Sequence, residues 1–279
     1  MRVGLATWEE LPALSADDQL LADKLERSGH AAVPAVWDDR SVDWSGFDVV
    51  VLRSTWNYYR SLERFLAWVD RVSAETSLWN RAGTVRWNSH KSYLFDLERA
   101  GVPIVPTRQV RDMTEARAVI REERWARAVL KPVVSAGGYR THLVTDASLS
   151  EDSPVGRDVQ GVPELLVQPY QENVERGGER SLVFFQGTYS HAFLRAPHLA
   201  RSSTLVEGSP VIPSAAELRV AERAVAAVVE RTLYARVDLV SDDGGRARLM
   251  ELELIEPFLG LASSGAAAQT LADAIATLR

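Results

Sequence analysis

The 279-residue chain contains no cysteine. That excludes a disulfide framework, a thiolate nucleophile and a zinc site built on sulfur. It contains three lysines, Lys24, Lys91 and Lys131, so arginine carries most of the positive charge. With a net charge of −6, it offers no electrostatic footprint for nucleic acid or an anionic membrane. The opening MRVGLATWEE lacks the basic and apolar regions of a secretory signal, and no apolar run reaches the length of a membrane span. The expected setting is the cytoplasm. Hydrophobic residues at 46% and charged residues at 25% are ordinary for a globular chain, and the length suits two domains or one large one. All eight tryptophans fall at or before Trp125, which fits two halves with different work.

The first eighty residues alternate in pattern. MRVGLATW reads as a strand, and SADDQLLADKLERSG as a helix opened by Ser15 and closed by Gly29. AAVPAVW and DVVVLRSTW read as strands, and SLERFLAWVDRV as an amphipathic helix from about Ser61. The order predicts a small parallel α/β sheet. Beyond Asn80, HKSYLFDLERAG and MTEARAVIREE read as helices, VPIVPTRQV as extended, and WARAVLKPVVSAGG as a strand entering a glycine-bearing loop. The polar stretch Ala147 to Val162 reads as a loop, and ELLVQPY as a strand. RSLVFFQGTYSHAFLRA is a hairpin turned at Gln186-Gly187, PSAAELRVAERAVAAVVERT a long helix capped by Ser214, and YARVDLVSDDGGRARLMELELIEP a second hairpin.

That last hairpin carries acids inside an apolar strand. Glu251 and Glu253 share one face because strand side chains alternate, and Glu256 follows just beyond. With Gly244-Gly245 as a two-residue turn, Asp238 sits opposite Glu251, and three carboxylates meet on one face. Neighbouring carboxylates raise one another's pKa, and a hard cation relieves that cost. Magnesium is typically held by one or two carboxylates together with substrate phosphates, so a phosphate-bearing ligand is implied. The alternative is a solvated outer face paired with arginines. For the phosphates, Lys91 opens a helix whose amide end favours anions, and Lys131 ends the strand AVLKP before the small-residue loop SAGG. A surface role remains the alternative for either lysine taken alone.

The order of these features resembles the ATP-grasp superfamily, in the branch of prokaryotic glutathione synthetase and the cyclo-ligase of cycloserine biosynthesis. It runs lysine, lysine with glycine loop, VQPY strand, acidic hairpin, from about Asn80 to Pro257. The resemblance implies an α/β (α+β ATP-grasp) class. An N-terminal Rossmann-like domain (1–82) would precede two α+β subdomains (83–168 and 169–279) that sandwich ATP. It implies that Lys91 and Lys131 contact ATP phosphates, that Ser135, Gly137 and Gly138 form a lid, and that Gln168, Pro169 and Tyr170 read adenine. Glu179 would take the ribose, and Asp238, Glu251 and Glu253 would hold magnesium, as two ions. Relatives commonly carry Asn where Glu253 stands. They also place an arginine two residues after the acid at Glu179, where this chain has Ser181, with Arg180 on the opposite strand face. Arg195 and Lys131 are the implied catalytic cations, and Arg201 a further basic contact.

The implied chemistry is transfer of the γ-phosphoryl to a carboxylate, then displacement of phosphate by an amine, with no protein nucleophile. The substrate end is read from LRSTWNYY at the carboxyl end of an apolar strand, where open α/β sheets place ligands. Arg53 is expected to hold a carboxylate, with Ser54 and Thr55 as hydrogen-bonding groups and Trp56 as a wall; packing against the next helix is the alternative. His191 shares a strand face with Arg195 and is a further candidate for the substrate. The expected activity is an ATP-dependent carboxylate–amine ligase acting on a small amino-acid-like, carboxylate-bearing molecule. An intramolecular cyclo-ligase and a non-catalytic nucleotide-binding protein stay open, and the resemblance allows a homo-oligomer.

Overall fold

A computed structural model describes residues 1–196 and 208–278. The chain starts with β1 (Arg2–Thr7), α1 (Ala16–Arg27), β2 (Ala31–Val36), β3 (Val49–Leu52), α2 (Leu62–Glu75) and β4 (Ser77–Trp79). The four strands form a parallel sheet in the order β2-β1-β3-β4; the alternating pattern predicts the first three and their parallel arrangement, and the short β4 is added by the structure. Ser15 starts α1 by accepting from Asp18 N at 3.1 Å, with Asp17 and Asp18 in the positive first turn. Gly29 follows its end at φ +81°. On α2, Phe65, Trp68, Val69 and Val72 face inward; Phe65 and Trp68 stack on each other, and they meet Trp37 and Trp44 edge-on, with ring centroids 5.1–5.8 Å apart throughout. Trp37, Trp44 and Trp68 thus build this core, whereas Trp79, Trp87 and Trp125 pack into others.

Next come α3 (Ala82–Asn88), α4 (Tyr93–Arg99), β5 (Arg108–Val110), α5 (Met113–Glu122), β6 (Ala128–Pro132), β7 (His142–Val144), α6 (Pro154–Val159) and β8 (Leu165–Pro169). The strands form an antiparallel sheet, β5-β8-β6-β7. The helix α6 lies inside the stretch read as a loop. Ser153 caps it by accepting from Gly156 N at 2.9 Å, and Pro154 occupies its first turn, where a missing N–H costs nothing. The proline that suggested a loop is therefore a helix start.

After the short α7 (Val174–Gly177), β9 (Glu179–Phe185), β10 (Thr188–Arg195), α8 (Ala215–Ala226), β11 (Tyr234–Ser241) and β12 (Ala247–Glu253) give a third sheet, β10-β9-β11-β12. One face is apolar: Val237, Leu239, Leu249 and Leu252 pack with Val220, Ala221 and Ala224 of α8. That helix stops at Ala226, before the expected end at Thr232. The β11–β12 turn also differs from expectation. Asp242 N donates to Arg246 O at 2.9 Å, so three residues, 243–245, make the loop. A bulge at Met250 then restores the register, and Asp238 still faces Glu251.

A last helix, α9 (Ala267–Ala276), which the sequence pattern did not suggest, packs beside α1. Leu271 and Ile275 join Leu21, Leu25, Val183 and Phe185 in one core. Buried polar contacts tie the first sheet to the third. Asn80 donates to Tyr234 O at 3.0 Å and Leu254 O at 2.7 Å, and accepts from Leu233 N at 2.6 Å. Asp17 accepts from the amides of Leu259 (3.1 Å) and Leu261 (2.6 Å). Arg53 donates to Asp18 at 2.7 Å and to Pro257 O at 2.8 Å, and lies over the Tyr234 ring. Among the described residues no helix is long and apolar enough to cross a membrane.

The Arg53 guanidinium is 1% exposed, so its carboxylate partner is essential to the tie. Asp18→Ala should lower the free energy of unfolding by about 3–5 kcal/mol. The check is a urea titration in which the midpoint falls while the slope is retained.

Candidate active site

A cleft of about 540 Å³ opens where the three sheets meet. The middle sheet contributes Lys131 from β6 and Gln168 and Pro169 from β8, and the third sheet Glu179, Arg195, Arg236, Glu251 and Glu253. The segment after β3 contributes Trp56, Tyr58 and Tyr59, and the loop after β6 contributes Ser135, Gly137, Gly138 and Tyr139. Gly137 and Gly138 sit at φ +57° and +73°, a left-handed pair that side chains would strain. Tyr139 of that loop packs on Tyr59, with ring centroids 4.6 Å apart. Val105, Tyr170 and Val174 form an apolar slot with Val129 and Met250 at one end. Gln168 Nε2 beside it donates to Thr107 Oγ1 at 2.9 Å.

The acids on β11 and β12 face this cleft, opposite the α8 side, and they are paired. Arg236, two residues before Asp238 and so on its face, forks onto both Asp238 oxygens at 2.9 Å and bonds Glu253. Ser181 donates to Asp238 at 2.6 Å, and Arg195 approaches it at 3.3 Å. Lys91 bonds Glu251. The Asp238 oxygens are turned to Arg236, Ser181 and Arg195. Among the described residues no group of three or more His, Cys, Asp or Glu is disposed to hold a metal ion. Arg236, absent from the sequence reading, was detectable there, since the register that sets Asp238 against Glu251 also sets Arg236 against Glu253.

Charge and burial shift the titrations in opposite directions. Burial would raise Glu251, but Lys91 and Lys131 beside it bring its pKa down to about 2. Burial raises Glu253 despite Arg236, and raises Glu256 well above the carboxylate range with Glu253 adding to the effect. Glu179 is pushed up to about 7 by burial, with Arg195 opposing and Asp238 adding. Burial lowers Lys131, although Glu251 opposes it. Lys91 is buried too, yet Glu251 raises it above the ordinary value. Around the cleft, Glu179, Asp238, Glu251, Glu253 and Glu256 outnumber Lys91, Lys131, Arg195 and Arg236 by one. Hard oxygen donors whose ionisation is opposed by burial and by one another fit a hard divalent cation, which would relieve that cost.

Several expected residues lie elsewhere. Arg53 and Ser54 are committed to Asp18, and neither they nor Thr55 lines the cleft. Of that segment the aromatic half does, led by Trp56. His191 shares the face of Arg195 but lies behind Phe193, donating from Nε2 to Leu259 O at 2.8 Å, and burial lowers its pKa. It is a core histidine. Arg180 faces away, 3.3 Å from Glu217 of α8. Tyr170 lines the apolar slot with its hydroxyl on Glu175 at 2.9 Å. Arg201 lies outside the described residues.

Comparison with known proteins relates the chain to characterised families. Residues 3–80 match a family model described as the N-terminal domain of the D-cycloserine synthetase DcsG. The cycloserine biosynthesis protein DcsG of Streptomyces lavendulae is 36% identical over 259 residues, 86% of either chain. The crystal structure of D-cycloserine synthetase DcsG matches with a TM-score of 0.88 at 30% identity, over 99% of both chains. A RimK-domain ATP-grasp protein from Sphaerobacter thermophilus matches at 0.75 and 21% identity, over 99% of this chain and 100% of that one. D-alanine–D-alanine ligase from Bacillus anthracis matches at 0.65 and 16%, over 99% and 96%. At those identities the last two show the fold alone.

The raised carboxyls set a pH dependence. A carboxyl whose folded pKa lies above its unfolded value is bound to a proton longer in the folded state, so stability falls as pH rises between the two. With Glu179 near 7 against an unfolded 4.5, the ligand-free protein should lose stability from pH 4.5 to about 7. Glu179→Gln should flatten that slope in thermal melts across the window.

Proposed function

The chain belongs to the ATP-grasp ligases, ATP-dependent enzymes that form C–N bonds. On that premise we propose that it phosphorylates the carboxylate of a small amino-acid-like substrate and passes the acyl group to an amine. A substrate carboxylate oxygen attacks the γ-phosphorus of ATP, ADP leaves, and an acyl phosphate results. The amine then adds to the carbonyl carbon, the C–O bond to phosphate breaks with its electron pair, and the amine gives up a proton. This reading lays the non-catalytic alternative aside.

The observation that carries the assignment is Lys131. It is 7% exposed, it lines the cleft beside the left-handed glycines, and it has no ion-pair partner among the described residues. A buried cation without a partner is costly and suits a site that receives an anion. We assign it, with Arg195 and Arg236, to the transferring phosphoryl group, and Lys91 to the phosphates once Glu251 is otherwise engaged. Ser135, Gly137 and Gly138 would cover the phosphates and keep water from the acyl phosphate. The slot beside Gln168, Pro169 and Tyr170 suits adenine, its apolar walls taking the ring and its main chain the ring edge. Glu179 lies where it would meet the ribose. Glu251 and Glu253 would hold magnesium, as two ions, which when bound neutralises phosphate charge. Asp238 serves by holding the Arg236 fork.

A ring-closing version, in which acid and amine belong to one molecule, is favoured by the 36% identity with a cycloserine biosynthesis protein. Mass spectrometry of the product decides it: one substrate less water marks ring closure, and the sum of two substrates less water marks joining.

Lys131→Met should lower kcat about 10²–10³-fold, the scale for one preorganised electrostatic group. Because it also removes a buried unpaired charge, it should raise Tm by roughly 2–4 °C. Substrate-dependent phosphate release and calorimetry check the two halves. Undiminished turnover would remove Lys131 from the mechanism. Glu251→Gln should abolish turnover without blocking nucleotide binding, as measured by calorimetry at saturating magnesium.

A further inference from the structure

Glu256 is the acid in the cleft that nothing above employs. It is 9% exposed and lines the cleft, and its carboxylate has no hydrogen-bond or ion-pair partner among the described residues. Glu251 has Lys91, and Glu253 and Asp238 have Arg236. Even Glu179 stands 3.7 Å from Arg195. Glu256 is thus the acidic counterpart of Lys131: a buried carboxyl at a cleft wall with no neutralising neighbour in contact, its ionisation opposed by burial and Glu253 until a cation is bound beside it.

The position is built rather than incidental. Trp56 Nε1 donates to Glu256 O at 3.0 Å, and Arg53 donates to the following carbonyl, Pro257 O, at 2.8 Å. Two side chains from the first sheet therefore fix the main chain that carries this carboxylate. Trp56, Tyr58 and Phe258 line the same cleft, and aromatic faces attract cations. Burial, then Glu253, raises the Glu256 pKa well above the usual range, a cost that a bound cation would reverse.

We propose that Glu256, with Trp56 and Tyr58, forms a subsite for a cationic group of the substrate: an ammonium carried on the same molecule as the carboxylate that is phosphorylated. This rests on the ligase reading and narrows it. The anionic end of the substrate faces the phosphates and Lys131, the cationic end faces the first sheet, and the two unpaired charges of the cleft receive their complements together. A neutral acid would leave Glu256 buried without a partner, and the site selects against it for that reason.

The test uses the intact enzyme with ATP, magnesium and hydroxylamine, which traps acyl phosphates as hydroxamates. D- and L-serine and alanine are compared with glycerate and lactate of matching configuration, which carry hydroxyl in place of ammonium. The amino acids should be activated with kcat/KM about 100-fold higher. Glu256→Gln, which keeps the shape, should bring the two series to within about threefold through loss of the amino-acid rate. Half-saturation by ATP and magnesium should stay unchanged. Equal rates for both series in the wild type overturn the subsite without any variant, so misfolding of Glu256→Gln does not protect it. A variant that keeps the preference overturns it also. A variant that shifts the magnesium requirement with the preference intact makes Glu256 a metal ligand instead. No hydroxamate from any of these acids, with ATP still bound, defeats the ligase reading for this substrate class, and the subsite with it.

Discussion

The Arg236 guanidinium is the interaction on which the cleft depends. It forks onto Asp238, bonds Glu253 and donates to Phe258 O at 2.9 Å, all while 2% exposed. Burying carboxylates on one sheet face is affordable only if cations with matching hydrogen bonds are buried among them. Arginine suits the position because its planar fork satisfies two acids and a carbonyl in fixed geometry. The same contact anchors the chain leaving β12, and that chain forms the wall opposite Lys131. Remove the fork and the acids repel, the hairpin face opens, and the wall loses its anchor.

The first sheet contributes to the site by holding that wall in place. Arg53, Asp17, Asn80 and Tyr234 stitch the segment 254–261 to the carboxyl ends of β3 and β4 and to the start of α1. Each tie is a buried polar group satisfied by main chain or by a paired charge, the form in which such groups are tolerated in a core. The stretch LRSTWNYY divides accordingly. Its first residues leave β3 where the core is still closed and become structural, while its aromatic residues emerge into the cleft. Carboxylate recognition by Arg53 failed as an expectation because Asp18, thirty-five residues earlier, reaches the guanidinium first.

Legibility followed the strength of local signals. The parallel first sheet, the capped α1 and the hairpin at Gln186-Gly187 carry unambiguous periodicity and turn chemistry, and they stand where the pattern puts them. The helix α6 is hidden in the sequence because proline and glycine usually mark breaks, whereas Pro154 here starts a helix. The end of α8 and the presence of α9 depend on what the helices pack against. The candidate site was legible in its acids, its lysines and its glycine loop. Alternation alone sets Arg236 on the acid face, whereas the strand face that His191 shares with Arg195 does not say how far it lies from the cleft.

From the sequence alone followed the parallel α/β unit at the start, the order of the phosphate-side and acidic features, and the absence of any thiol chemistry, because periodicity, turn residues and composition are local properties of a chain; the ATP-grasp class came from the family resemblance that this order carries. Which acids face a cation, and which cations are left unpaired, only the tertiary structure decided. The bulge at Met250 shows why. A three-residue turn alone would have set Asp238 against Met250 and turned Glu251 toward α8; one extra residue in β12 returned Glu251 to the cleft. Charge pairing is a matter of distance across elements, and no local pattern contains it.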